Sequence, residues 1–157
     1  MILNLSEIRA RTVPVADYIN GLEEPFRTKF LERRRTYQAN EEAVSKLRVF
    51  AKEYVIIVFS AAWCKDCASN IPALAVISEG SGLEVRVFGG LKKDVLEPGH
   101  KWRIPPSPQE AETFRVDKIP LIIVADQKGI EVGRIVENPA SQPTLEQELY
   151  EIIKRKQ

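Results

Sequence analysis

Apolar positions along the chain fall into two regimes. Up to about residue 53 they recur at three- and four-residue intervals, and beyond it continuous apolar runs alternate with helical stretches. In the first regime Val15, Tyr18, Ile19 and Leu22 share one face of a helix that starts near Pro14 and stops at Gly21. Pro25 opens a second helix with Phe26, Phe30, Leu31 and Tyr37 inward. Asn40 is placed to cap a third, which carries Ala43, Val44, Leu47, Phe50 and Ala51 inward, and Glu41 and Glu42 suit the positive end of its dipole.

The second regime opens with Tyr54-Val55-Ile56-Ile57-Val58-Phe59, a β-branched run that predicts a strand covered on both faces. A helix over residues 65–78 follows, with Ile71, Leu74 and Ile77 inward and Gly80 and Gly82 ending it. Residues 83–88 then form a second strand, parallel to the first through a right-handed crossover. Gly89-Gly90 begins a Pro-rich connection to Pro106, after which Ser107-Pro108-Gln109-Glu110 predicts a helix capped by Ser107. Residues 121–125 are a further buried strand. Asp126-Gln127-Lys128-Gly129 is a hairpin turn, and residues 130–136 return antiparallel. Pro143 and Thr144 open a last helix with Leu145, Leu149, Ile152 and Ile153 inward, and Lys154-Arg155-Lys156 complements its negative end. The chain therefore divides into a helical N-terminal extension, residues 1–53, and a βαβ–helix–hairpin–helix unit, residues 54–157.

Composition narrows the function classes. At 157 residues and 44% apolar, the chain is one ordinary domain with a real core, which excludes global disorder. A net charge of +1 lacks the basic excess of a nucleic-acid binder. No apolar run approaches the ~20 residues of a membrane helix. Met1-Ile2-Leu3-Asn4-Leu5 is too short for a signal-peptide core, with charges at Glu7 and Arg9, so a cytoplasmic location is expected, with neither nucleic acid nor membrane as partner.

Both cysteines fall in Trp63-Cys64-Lys65-Asp66-Cys67, between a buried strand and a helix start. Unpaired N–H groups at a helix N-terminus favour the Cys64 thiolate, and such sites commonly hold a thiol at a pKa of roughly 3.5–7.5. Two intervening residues put Cys67 about one turn onward, within reach of Cys64. Lys65 adds positive charge and Asp66 opposes it, and the sequence does not decide the net effect. Asp66 is equally a proton relay or thiol tuner and an ordinary first-turn acid. In the expected chemistry the Cys64 thiolate attacks a substrate disulfide, Cys67 resolves the mixed disulfide, and Trp63 shields one side. Two Cys and one His cannot supply four ligands, so no metal is expected and zinc remains only as a site shared between chains. The connection carrying His100, Trp102 and Arg103 reads as a surface loop with one aromatic packed down rather than a substrate-facing rim. Arg33-Arg34-Arg35 reads as a solvated helix face rather than a contact for an acidic partner.

Over residues 54–155 the chain resembles the thioredoxin family. The likeness rests on the strand entering Trp63-Cys64-Lys65-Asp66-Cys67 and on Pro72, eight residues after Cys64. It rests also on Phe114-Arg115-Val116-Asp117-Lys118-Ile119-Pro120 and on the closing hairpin and helix. Proteins of this kind with a W-C-x-D-C motif and a helical N-terminus are the most similar. The resemblance implies an α/β thioredoxin-like three-layer fold, a central mixed sheet flanked by helices, with the helical extension added. It implies a cis Ile119–Pro120 bond facing the nucleophile, Pro72 kinking the active-site helix, and Ile119 pairing with an extended substrate segment. Without the family, Pro120 would simply start a strand. The implied activity is protein-disulfide reduction, with no cofactor beyond the redox-active Cys64–Cys67 disulfide. The implied partners are disulfide-containing proteins and a reductase as electron donor. The chain departs from the family at Val58, where a buried Asp is usual, and at Lys65-Asp66, where Gly-Pro is usual. It departs also in the longer connection after Phe88, in Val136-Glu137-Asn138 lining the groove, and in the lack of an evident first strand. These departures keep open an interaction module with little turnover, and a disulfide oxidant or isomerase.

Overall fold

The structure, a computed structural model, describes residues 2–96 and 101–157. In chain order the elements are α1 (Leu5–Arg11), β1 (Val13–Pro14), α2 (Val15–Asn20), α3 (Phe26–Thr36) and α4 (Glu41–Arg48), then β2 (Tyr54–Phe59), α5 (Lys65–Ser81) and β3 (Glu84–Phe88). After the connection come α6 (Glu110–Thr113), β4 (Leu121–Asp126), β5 (Glu131–Val136) and α7 (Leu145–Lys156). The sheet runs β1-β3-β2-β4-β5. Strand β2 lies parallel to β3, with Val58 opposite Val87, and antiparallel to β4, with Val58 opposite Ile122. All six β2 residues are buried, because helices cover the sheet on both faces and this strand lies at its centre. The protein is thus an α/β thioredoxin-like fold with a helical N-terminal part.

The N-terminal segment is not wholly helical. Val13 and Pro14 form an edge strand antiparallel to β3, Val13 opposite Val87. Two residues give no alternation to read, and Pro14, lacking an N–H, is tolerated only because the strand is at an edge. Helix α1, capped by Asn4 on the Glu7 N–H, buries only Leu5 and Ile8, too few apolar positions to set a period. Leu31 is exposed, because α3 buries only Phe30 and the next residue points about 100° away around the helix. Gly80 lies inside α5, which runs on to Ser81 and stops at Gly82 in the left-handed conformation, φ +84°. Ser107 is not the cap of α6. Its hydroxyl accepts from the Lys92 N–H and donates to the Lys92 carbonyl, so its capping group is already engaged across the connection.

One core joins the N-terminal helices to the sheet. Val15, Tyr18, Ile19, Phe30 and Leu47 belong to the same apolar cluster as β2, β3 and β4. Phe59 stacks on Phe88 at 4.7 Å and meets Phe114 edge-on at 5.7 Å, which seats the end of α6 on the sheet. The Arg33-Arg34-Arg35 run is partly turned inward rather than solvated. The Arg33 guanidinium donates to the Ser69 carbonyl at 3.2 Å and Arg34 pairs with Glu79 at 3.2 Å, which pins α3 to α5. Helix α7 is held in turn through buried Glu146, which accepts from the Tyr37 hydroxyl at 2.6 Å and the Asn40 N–H at 2.5 Å. Among the described residues no helix is long and apolar enough to cross a membrane.

Candidate active site

Strand β2 delivers the chain through Ser60 and Ala61 to the N-terminus of α5, where Cys64 is the capping residue. Its sulfur accepts the Cys67 N–H at 3.2 Å. The hydrophobic strand and the long helix therefore fix the nucleophile's position, and the cap fixes its orientation. Both cysteines are free and buried, and Cys67 has no exposure at all.

The two thiols are driven apart in acidity. Cys64 is lowered to about 7, first by the hydrogen bond the Cys67 thiol donates to it. Burial works against this, the backbone N–H groups of Cys67 and Asp66 assist, and the Asp66 carboxylate opposes. Asp66 thus acts with both signs, favouring the thiolate through its backbone and disfavouring it through its side chain. Cys67 is pushed up, first by burial and then by the same hydrogen bond that acidifies its partner. A poised outer thiolate with a protonated inner thiol behind it is the asymmetry that thiol–disulfide exchange needs.

The surrounding residues form a cleft of about 280 Å³ whose lining includes Cys64, Lys65, Trp102, Lys118, Ile119 and Glu137. The Cys64 thiol donates to the Ile119 carbonyl at 3.6 Å, and the Ile119–Pro120 peptide is cis. The Pro120 carbonyl accepts from the N–H of Glu137, a residue in the left-handed region at φ +66°. Trp63 is half exposed; its indole N–H donates to the Leu91 carbonyl at 3.2 Å, and its ring stacks on Trp102 at 6.3 Å. Lys65 is exposed and Asp66 half-buried at the first turn of α5, and Pro72 is buried farther along that helix.

The long connection is more than a packed-down loop. Trp102 is indeed buried, with its indole N–H on the Asp117 carbonyl at 3.0 Å and Lys101 paired with Asp117 at 2.6 Å. It also forms a wall of the cleft through its stack on Trp63. Arg103 turns aside to Glu112 at 4.0 Å, and His100 lies outside the described residues.

Three residues that sequence reasoning passed over complete the site. Buried Asn70 uses its amide to hold the Asp66 carbonyl at 3.0 Å, the Glu137 carbonyl at 2.9 Å and the Asn138 side chain at 2.9 Å, which ties the groove loop to the active-site helix. Ser60 is fully buried beside Cys67, and Tyr18 reaches it from α2. A polar residue on a buried helix face and a serine closing an apolar strand were the available signals. Nothing in the pattern brings position 18 to position 60.

A sequence model of the thioredoxin family matches residues 12–149. The chain belongs to the thioredoxin family. The match begins before β1 and so takes in most of the helical N-terminal segment together with the βαβ–helix–hairpin unit. Among solved structures the chain is similar to a protein of unknown function from Pseudomonas aeruginosa, at 16% identity and a TM-score of 0.75, covering 99% of this chain and 100% of that one. It is also similar to an HIV epitope-scaffold protein, at 17% identity and a TM-score of 0.65, covering 87% and 79%. At these identities the likeness concerns the fold alone. A search of curated proteins finds no match. The thioredoxin-like fold with two adjacent cysteines supports, at the level of class, a thiol–disulfide oxidoreductase.

Proposed function

We propose that the protein reduces disulfides in protein substrates, with Cys64 as nucleophile and Cys67 as resolving thiol. The observation that carries this reading is the arrangement of the two sulfurs: Cys64 caps α5 with its sulfur on the Cys67 N–H at 3.2 Å and 3.6 Å from the Ile119 carbonyl, and Cys67 lies fully buried behind it, in keeping with the lowered Cys64 and raised Cys67 acidities. The Cys64 thiolate attacks one sulfur of a substrate disulfide. A Cys64–substrate bond forms, and the other substrate sulfur leaves with the electron pair and takes a proton. Cys67 then gives up its proton and attacks Cys64. The Cys64–Cys67 bond forms, the substrate leaves as its second thiol, and two electrons have passed to it. A reductase of dithiol or flavin chemistry restores the pair. The cleft edge at Ile119, with its carbonyl on Cys64, supports docking of an extended substrate segment beside the nucleophile. No cofactor is needed beyond the cysteine pair itself, and a reducing compartment such as the cytoplasm suits this direction of electron flow.

The test is reduction of insulin disulfides in the presence of a dithiol. Wild-type protein should accelerate it and Cys64→Ser should not, while Cys67→Ser should accumulate a mixed disulfide with substrate. A wild-type rate equal to the uncatalysed one would overturn the proposal. The potential of the Cys64–Cys67 couple should lie nearer about −270 mV than the roughly −120 to −180 mV of oxidants and isomerases.

A further inference from the structure

Activating Cys67 is the harder half of the proposed reaction. Its thiol is wholly buried, and Val58, near the end of β2 that leads into the site, is a buried side chain that offers neither acid nor base. In the resting dithiol the Cys67 S–H is bonded to Cys64. Once Cys64 is tied up in a mixed disulfide, that charged partner is gone. Two polar groups that favour a Cys67 thiolate then remain against its sulfur, the Ser60 hydroxyl and the Ala61 N–H.

Ser60 is not alone. The Tyr18 hydroxyl lies 3.1 Å from Ser60 Oγ in a buried contact. The ring is set by an edge-on contact with Phe30 at 6.4 Å and by Gly89, where a Cβ would come within 2.6 Å of Tyr18 Cε1. Burial pushes the Tyr18 phenol up to about 12, so it stays protonated and can serve as a donor. A serine hydroxyl has one proton and two lone pairs. If Tyr18 donates to Ser60 Oγ, the single Ser60 proton is left to point at sulfur.

We propose that Tyr18 and Ser60 form a donor chain that stabilises the Cys67 thiolate during resolution, so that the N-terminal helix α2 is part of the reaction centre. Ser60 acts as a catalytic residue, touching the reacting sulfur, and Tyr18 is a positioning residue acting through it. The titratable groups set against Cys67 are the Cys64 thiol on α5 and the Tyr18 phenol on α2, while Asp66 bears on Cys64. The chain lowers the cost of ionising Cys67 without itself changing charge. The proton leaves to solvent and is balanced by the one taken up by the departing substrate thiol.

The inference rests on the oxidoreductase reading, and one experiment separates the two. Reduced full-length protein is mixed with excess 5,5′-dithiobis(2-nitrobenzoate) in a stopped-flow instrument. A first coloured phase, dependent on reagent concentration, reports attack by Cys64. A second, independent of it, reports resolution by Cys67. Ser60→Ala should slow the second phase roughly ten- to a hundredfold, the usual worth of a hydrogen bond to a charged group. Tyr18→Phe, which loses one oxygen and keeps the ring, should slow it about threefold by depolarising Ser60. In both, the pH needed for a given second-phase rate should move upward, which a merely structural role would not produce. Second phases within twofold of wild type at every pH in both variants would overturn the inference and leave the reductase reading standing. A wild-type protein lacking either phase would sink both.

Discussion

Replacing Cys67 with Ala tests the source of the Cys64 acidity. The largest favourable contribution is the hydrogen bond from the Cys67 thiol, and two backbone N–H groups supply the rest. With Cys64 at about 7, half of it is thiolate at neutral pH. An ordinary thiol near 8.5 would be ionised to only about 3% there. Cys67→Ala removes the side-chain donor and keeps the backbone donors, so the midpoint should rise by about one pH unit, to about 8, equivalent to ~1.4 kcal/mol. The thiolate fraction at pH 7 then falls about fivefold. A more basic thiolate is also more nucleophilic by about threefold per unit, so the rate at pH 7 falls only about twofold. The informative assay is therefore the full pH dependence of Cys64 alkylation by iodoacetamide, read for its midpoint rather than for one rate. The sign is fixed: reactivity appears as pH rises through the midpoint, and the variant needs higher pH. A midpoint unchanged or lowered in Cys67→Ala would refute the assigned origin of the acidity.

Two further outcomes follow from the packing. Asn70→Ala removes the amide that ties the part-buried Glu137 carbonyl and Asn138 side chain to α5, while the Asp66 carbonyl keeps its helix bond, a loss of about 1–3 kcal/mol. Thermal unfolding should show a midpoint several degrees lower, and an unchanged midpoint would mean that water replaces the amide. Glu148 is buried, which opposes its charge, yet the backbone N–H groups of Ser141, Ala140 and Gln142 and the Ser141 hydroxyl bring its pKa below the ordinary glutamate value. Its stabilisation is therefore complete above about pH 4.3 and is lost as pH falls through the lower, folded value. Glu148→Gln should be less stable than wild type near pH 6, with the gap closing toward pH 3 in urea titrations; a gap constant with pH would argue against that reading.

Elements with a local pattern were readable from the order of residues alone. A six-residue apolar run had to be buried on both faces, so β2 was legible as a central strand. Asn40 and Thr144, each three residues before an N–H they could accept, marked helix starts that the structure keeps. The cysteine pair was legible for the same reason: a helix tip after a buried strand is a local arrangement, and its effect on a thiol is general. Features that depend on partners distant in the chain emerge only when it folds. Ser107 had a good cap sequence, but Lys92 claimed its hydroxyl. Val13 and Pro14 became a strand because β3 offered them an open edge. Trp102 became a wall of the cleft, Asn70 the tie to the groove loop, and Tyr18 the partner of Ser60, 42 residues away. Periodicity says that such side chains turn inward. Only the closed core decides which buried polar atoms meet, because each must find a partner within hydrogen-bond reach once water is excluded.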